Sequence, residues 1–543
     1  MKRNHRRRIF IAFLVMAFAL LATARMTFPI VGEHPGETVS AAPVQPACII
    51  RGKPATDNND PLARFLRAQK PCPFNVFDFR AQLTAAGAKL KPTLVANRGF
   101  HNRKSQADGM HFMMFEMISG QLKSLNTEIK DGEFFFGHFT VTNGTTLQAD
   151  QSPARGSLMI ELIAWDATKE VFNFYELIGD GSRGQWFYRG DSVDIQQDVR
   201  LLHRQAIPAT QLRCSGCHVA GGPIMKELAA PHNDWWTNQR KLPFGKLKPD
   251  AQLNAILQDL VDADELAVSV KAGLQKLAGS AKFQQAKKAL SLPEQLRPLF
   301  CPVELNLESD PVPFDDRAAQ LNIPSAFFVN PLLAQGSVSV RREHYDAALT
   351  ALNFSSLETS PKRLDADHGW LTPVKAASDL LAIETLIEQG LIDREFALDV
   401  LAVDLTNPLF SAARCGLLRL LPETAEGDWQ KKFQAALKAA PRDPAAQELL
   451  NNLTNPARNV ALHQERATNF LQQCREHFQT APEVADLLRL LAQRRAEVLT
   501  SKISKIPGGE ILEPGFRVIF PLPAPRIPPP TSHLTEDGRV VRP

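Results

Sequence analysis

The apolar pattern of this 543-residue chain changes period part-way along, and one simple layer cannot satisfy both halves. From about Leu94 to Asp191, apolar and aromatic residues come in short, alternating runs, as they do on pleated, half-buried surfaces. "GEFFFGHFTVTNGTTLQAD" carries a Phe-rich strand, then Asn143-Gly144, a hairpin signal because both residues tolerate positive φ. "SLMIELIAWD" and "EVFNFYELIG" read as two more strands turning at Asp166–Lys169, and "GQWFYRGDSVDI" as a fourth. Beyond residue 246 the repeat becomes helical. Leu253, Ile256, Leu257, Leu260 and Val261 make one stripe, and Val484, Leu487, Leu488 and Leu491 another. "SDLLAIETLIEQGLIDREFALDVLAVDL" reads as two helices broken near Gly390. The expected class is α+β: an aromatic-rich antiparallel β block, a central cysteine-bearing segment and a largely α-helical C-terminal region.

Length alone predicts two to four domains. The boundaries fall where composition shifts. Residues 1–24 read as an export signal and 25–91 as linker and short helices. Residues 92–245 hold the β block and the cysteine motif, 246–505 the helices, and 506–543 a Pro-rich tail. The signal has a basic start, "KRNHRRR", an apolar run from Ile9 to about Leu21 and small residues at Ala22-Thr23-Ala24. The run is short for a membrane span, which takes about 20 apolar residues, so a membrane anchor is expected only if the signal stays uncleaved. Five of the 62 lysines and arginines lie in this segment; without them 57 face 58 acidic residues. The positive balance therefore belongs to targeting, and no nucleic-acid surface is expected. In the tail, "FPLPAPRIPPP" favours an extended strap over helix.

The chemistry concentrates in "CSGCHVAGGPIMKELAAPHNDWW", residues 214–236. Cys214 and Cys217 stand three positions apart, so on one helical turn their sulfurs face the same way, and His218 follows at once. With 7 cysteines and 13 histidines in the chain, chance supplies this pattern only about 0.002 times. A disulfide between the two cysteines would leave the histidine idle. A structural zinc wants four ligands, and the chain has no second C-x-x-C or H-x-x-x-H. A thioredoxin-type dithiol prefers a strand just before the motif and a helix just after it. The remaining reading is C-x-x-C-H, the attachment signal for a c-type haem: two thioether bonds and one axial nitrogen.

Through Cys214, Cys217 and His218 the sequence resembles the c-type cytochromes. The resemblance implies one covalently attached haem c, His218 as the iron's metal ligand, electron transfer and assembly in the periplasm, which agrees with the export signal. A low-spin electron-transfer haem takes a second axial ligand, commonly Met or His. Met225, His232, and the β-block residues Met110, His111, Met113, Met114 and Met117 are all open for that role, as is no ligand at all. An aromatic β block followed by C-x-x-C-H also loosely resembles cytochrome P-460 and cytochrome c′-β in layout, over residues 92–236 at most. In that family the motif lies near the chain end; here roughly 300 residues follow it.

Three function classes follow. The first is an exported mono-haem cytochrome exchanging single electrons with a redox partner protein or a small-molecule donor or acceptor. The second is a haem enzyme with an open iron site, acting on peroxide, a nitrogen oxide or an organic substrate; no catalytic residue is assigned for it. The third is a partner-binding protein with a structural haem. Gly221-Gly222-Pro223 allows a tight turn against a flat ligand, and Trp235 and Trp236 are candidates for its edge. Of Cys48, Cys72, Cys301, Cys415 and Cys474, an oxidising compartment would pair four and leave one over. The pairing is open.

Overall fold

The computed structural model describes residues 48–52, 57–97, 111–140, 158–179, 184–201, 214, 218, 220–223, 255–256, 258–261, 263–301, 303, 305–308, 319–352, 372–409, 411–455, 460–501 and 532–542. The export signal, most of the Pro-rich tail, the Asn143-Gly144 turn, Cys217, Met110, Met225, His232, Trp235 and Trp236 lie outside them. The first half holds β1 (Ile50–Arg51), α1 (Pro61–Ala68), α2 (Val76–Ala85), β2 (Ala88–Asn97), β3 (His111–Leu122), β4 (Thr127–Ile129), β5 (Phe134–Thr140), β6 (Leu158–Asp166), β7 (Val171–Gly179) and β8 (Gly184–Asp191).

These eight strands form one sheet in the order β1-β8-β7-β6-β5-β3-β2, with β4 paired to β3. The expectation of a wholly antiparallel block needs one correction. Every pairing is antiparallel except β1, which runs parallel to β8, so the sheet is mixed. Two residues carry no periodicity, and the partner of β1 lies far along the chain. A disulfide from Cys48, just before β1, to Cys72, between α1 and α2, ties this segment to the sheet's helical cover.

Helices α1 and α2 cover one face. Asp60 caps α1, its carboxylate accepting from Ala63 N–H at 2.9 Å, and Pro61 occupies the first turn, where a missing N–H costs nothing. Phe65 and Phe79 from these helices meet Phe136 and Trp186 from the sheet, with Phe79 5.3 Å from each of the latter rings. Edge-on contacts of this kind add about 0.5–1.5 kcal/mol beyond the burial itself.

The second half holds α3 (Ser192–Leu201), α4 (Ala263–Ala278), α5 (Ala281–Lys288), α6 (Leu292–Phe300), β9 (Leu305–Glu308), β10 (Gln320–Pro324), β11 (Ser337–Arg341), α7 (Arg342–Ala351), β12 (Thr372–Lys375), α8 (Ala377–Glu388), α9 (Arg394–Leu401), α10 (Ala412–Gly416), α11 (Trp429–Lys438), α12 (Pro444–Thr454), α13 (Val460–His477), α14 (Ala481–Ser501), β13 (His533–Leu534) and β14 (Val540–Val541). The expected helix break falls between α8 and α9, where Gly390 takes φ +68°. Val484, Leu487, Leu488 and Leu491 are fully buried on α14. Three two-stranded sheets interrupt the helices: β9 with β12, β10 with β11, and β13 with β14. The first pairs a four-residue strand with a partner that starts more than 60 residues later, which leaves no local signal. A second disulfide, Cys301–Cys415, joins the end of α6 to α10. The remaining described cysteine of the helical half, Cys474, is buried, and burial pushes its thiol up to about 12, which keeps it protonated and unreactive. Among the described residues no helix is long and apolar enough to cross a membrane.

Candidate functional site

The sheet face opposite α1 and α2 is built by register. Directly paired residues share a face. Phe115, Gly137, Glu161 and Glu176 therefore form one row across β3, β5, β6 and β7. Met117, Phe135, Ile163 and Phe174 form the next row, and Trp165 and Phe172 follow. α4 lies against this face. Gly132, at φ +82° in the turn before β5, brings its backbone so close to Gly273 of α4 that a Cβ on either would sit about 2.8 Å from the other's backbone. Leu266 and Val270, nearer the helix start, stand over the row that contains Gly137.

Between helix and sheet is a cavity lined by Phe115, Phe135, Phe136, Gly137, Glu161, Ile163, His218, Pro223, Leu266 and Val270. Its cavity volume is about 40 Å³, and it opens to solvent on one side. Gly137 lines the floor, mid-strand between Phe115 and Glu161, and a strand glycine often marks a close approach. The carboxylate of Glu161 is half-buried, and its cross-strand neighbour Glu176 is fully buried and ion-paired with Arg189.

The cysteine motif enters this face from the side. Cys214 is helical, and the His218 N–H donates to its carbonyl at 2.9 Å, so the two residues span one helical turn. Cys214 is buried among Ile163, Trp165, Phe172, Phe174, Ile195, Leu277 and Phe283. Neither disulfide uses it. His218 is only 8 % exposed, with its ring 5.2 Å from that of Phe174. After it the chain turns back on itself: Gly221 N–H donates to the His218 carbonyl at 2.8 Å, and Gly221 adopts φ +75°. This return carries the Gly222 carbonyl to 2.8 Å from His218 Nδ1. A carbonyl can only accept, so Nδ1 carries the proton and Nε2 of the neutral ring carries the lone pair.

The glycine pair thus does something other than approach a flat ligand. A Cβ at Gly221 would stand 2.5 Å from the Ser192 carbonyl oxygen, and one at Gly222 2.9 Å from Leu274. Both glycines let the turn press against α3 and α4, and the pressed turn is what delivers the carbonyl to the histidine.

Of the proposed site residues, the structure brings Cys214 and His218 together on one face; Cys217 lies outside the described residues. Of the second-ligand candidates, His111, Met113 and Met114 lie on β3 without described side chains. Met117 is buried with Phe115, Phe135, Leu266, Val270 and Leu274 and is not among the residues lining the cavity. Gly137, Glu161 and the Gly222 carbonyl were not anticipated. A mid-strand glycine inside "FFFGHF" was the one available signal. Among the described residues no three histidines, cysteines or carboxylates cluster as a metal site.

The described residues supply two of the groups that a c-type haem takes, a cysteine and a histidine whose Nδ1 is fixed by a carbonyl; of the two, His218 lines the cavity and Cys214 is packed beside it. Metal-binding histidines commonly have their second nitrogen held in this way, which sets tautomer and ring orientation. No protein family, curated protein or solved structure matches this chain.

Proposed function

We propose that the chain is an exported, mono-haem c-type cytochrome whose iron exchanges single electrons with a redox partner protein or a small molecule. In this reading Cys214 and Cys217 hold haem c by thioether bonds and His218 ligates the iron through Nε2. The haem supplies the Fe(II)/Fe(III) couple. The observation that carries the reading is the Nδ1 contact to the Gly222 carbonyl, within a C-x-x-C-H motif that chance hardly supplies. The hydrogen bond raises the basicity of Nε2 and fixes the ring plane, and the aromatic wall of Phe115, Phe135 and Phe174 excludes water from it. The finer fold belongs to the same reading: a β block, a central haem-attachment segment against its open face, and a large helical region.

Export draws support from two separate features, the basic-then-apolar N-terminus and the two disulfides, which persist in oxidising compartments. An open iron site is the second reading, favoured by the cavity. Among its described lining residues His218 is the sole imidazole and no thioether is present, while Glu161 adds a carboxylate.

The test is the pyridine haemochrome spectrum of the exported protein, followed by CO added to the reduced native form. A c-type spectrum that survives acid extraction is expected, with Cys217→Ala cutting covalent haem at least tenfold. Unchanged retention in that variant would end the attachment claim. A native spectrum indifferent to CO favours electron transfer; an immediate shift favours the open site.

A further inference from the structure

A second cleft lies behind the motif, between α5, α6 and α8, and has a cavity volume of about 110 Å³. Its walls are mainly apolar, with Leu290, Pro298 and Leu386 among them, and Ser378 and Thr385 add hydroxyls. Its charges do not cancel. Glu294 is bound two-fold by Arg297, at 2.6 and 3.0 Å. Asp379 accepts from the Lys375 ammonium and from Val303 N–H, each at 3.0 Å. Both acids are thus committed to other donors, and Lys287 and Lys288 are left as cations on the cleft. Lys288 is exposed to solvent. Lys287 is not: it is half-buried, its ammonium stands 5.0 Å from the Phe283 ring centre, and that ammonium has no hydrogen bond or ion pair among the described residues.

We propose that this cleft binds a small organic carboxylate with an apolar body, the Lys287 ammonium taking the anion and the Leu290–Leu386 walls the body. Desolvation without a carboxylate partner is costly for an ammonium, and a bound anion offsets that cost. Burial pushes Lys287 down to about 8, against the pull of Asp379, which still leaves it mostly charged at neutral pH. The cleft is smaller than the cavity of about 150 Å³ that accepts benzene, so a single ring would fill it and extend to its solvent-open side. Ala220 of the haem-attachment segment lines the cleft and also packs beside Phe115 and Leu266 of the sheet cavity, so a bound anion would touch the segment that carries His218. The inference stands apart from the haem reading, because no cleft residue is a proposed haem ligand.

Titration calorimetry of the full exported protein with sodium benzoate tests it. One benzoate per chain is expected, with neutral benzamide at least tenfold weaker. Lys287→Met keeps the side-chain length, removes a poorly solvated charge and should fold at least as well as the parent; it should weaken benzoate at least tenfold. Absence of benzoate binding to the parent at millimolar concentration overturns the proposal. So does Lys287→Met or benzamide binding as tightly as the parent pair, since the anion would then be elsewhere or its charge irrelevant. The haemochrome spectrum is unaffected by any of these outcomes.

Discussion

The two faces of the large sheet are made from the same four strands, yet only one is closed by its own side chains. On the α1–α2 face the rows are filled: Phe134, Phe136, Leu162, Ala164 and Tyr175 are essentially inaccessible, and Phe79 reaches in among them. Polar groups there are consumed locally. The Tyr175 hydroxyl donates to Asp60, the cap of α1, and accepts from Asn58 at 2.8 Å, while Asn173 donates to the same Asp60 at 2.8 Å. Burial holds the Tyr175 pKa well above its usual value, so that hydroxyl remains a donor. On the opposite face a glycine replaces a side chain mid-row, and a histidine fixed by a carbonyl stands at the edge of the gap. A filled face with satisfied polar groups is a core; a gapped face with an oriented imidazole is a place for something else. The strand composition alone does not distinguish them, since both faces are rich in Phe.

The contrast breaks most visibly at Phe79. Replacing it with alanine removes the ring shared by Phe65, Phe136 and Trp186, and should cost about 4 kcal/mol, within the usual range for a buried Phe→Ala. Chemical denaturation measures it. Haem retention by the folded fraction should not change. If retention falls in step with stability, the two faces are coupled and do not act separately.

Much of the division of labour was legible in the sequence, though not the site's floor. β6, β7 and the Phe-rich β5 announce themselves because alternating aromatic and β-branched runs have little alternative, and Gly390 marks its break because only the left-handed backbone ends α8 there. Cys214 and His218 lie four positions apart, one helical turn, so their meeting needs no tertiary knowledge. Gly137 and Glu161 are different. Their meeting with His218 depends on β5 pairing with β6 in one register, and on α4 arriving from more than 100 residues away. A slip of one residue would turn both to the filled face. The Gly222 carbonyl is a backbone atom, which residue identity does not report. β1, β9 and β12 are too short to carry a period.

A paired substitution sharpens the comparison with a smaller effect. Ala164 on β6 is fully buried on the filled face, beneath the α1–α2 layer. Ala164→Leu asks that face for volume it does not have, and overpacking of this kind costs about 2 kcal/mol. The melting temperature should fall, while covalent haem in the folded protein stays at the parental level.

Gly137→Leu is the counterpart on the gapped face, and its stability cost should be the smallest of the three. A glycine inside a strand is itself unfavourable, and Gly137 lines a cavity of about 40 Å³ that can take part of the new side chain, so the loss should stay below about 1 kcal/mol. The functional effect should be the reverse of the structural one. Leucine would occupy the floor between Phe115 and Glu161, and covalent haem per folded chain should drop at least fivefold by absorbance against protein mass. Normal haem content with a lowered melting temperature would mean that the gap is a packing flaw rather than a cofactor wall. The proposed haem would then have to reach His218 from outside this cavity.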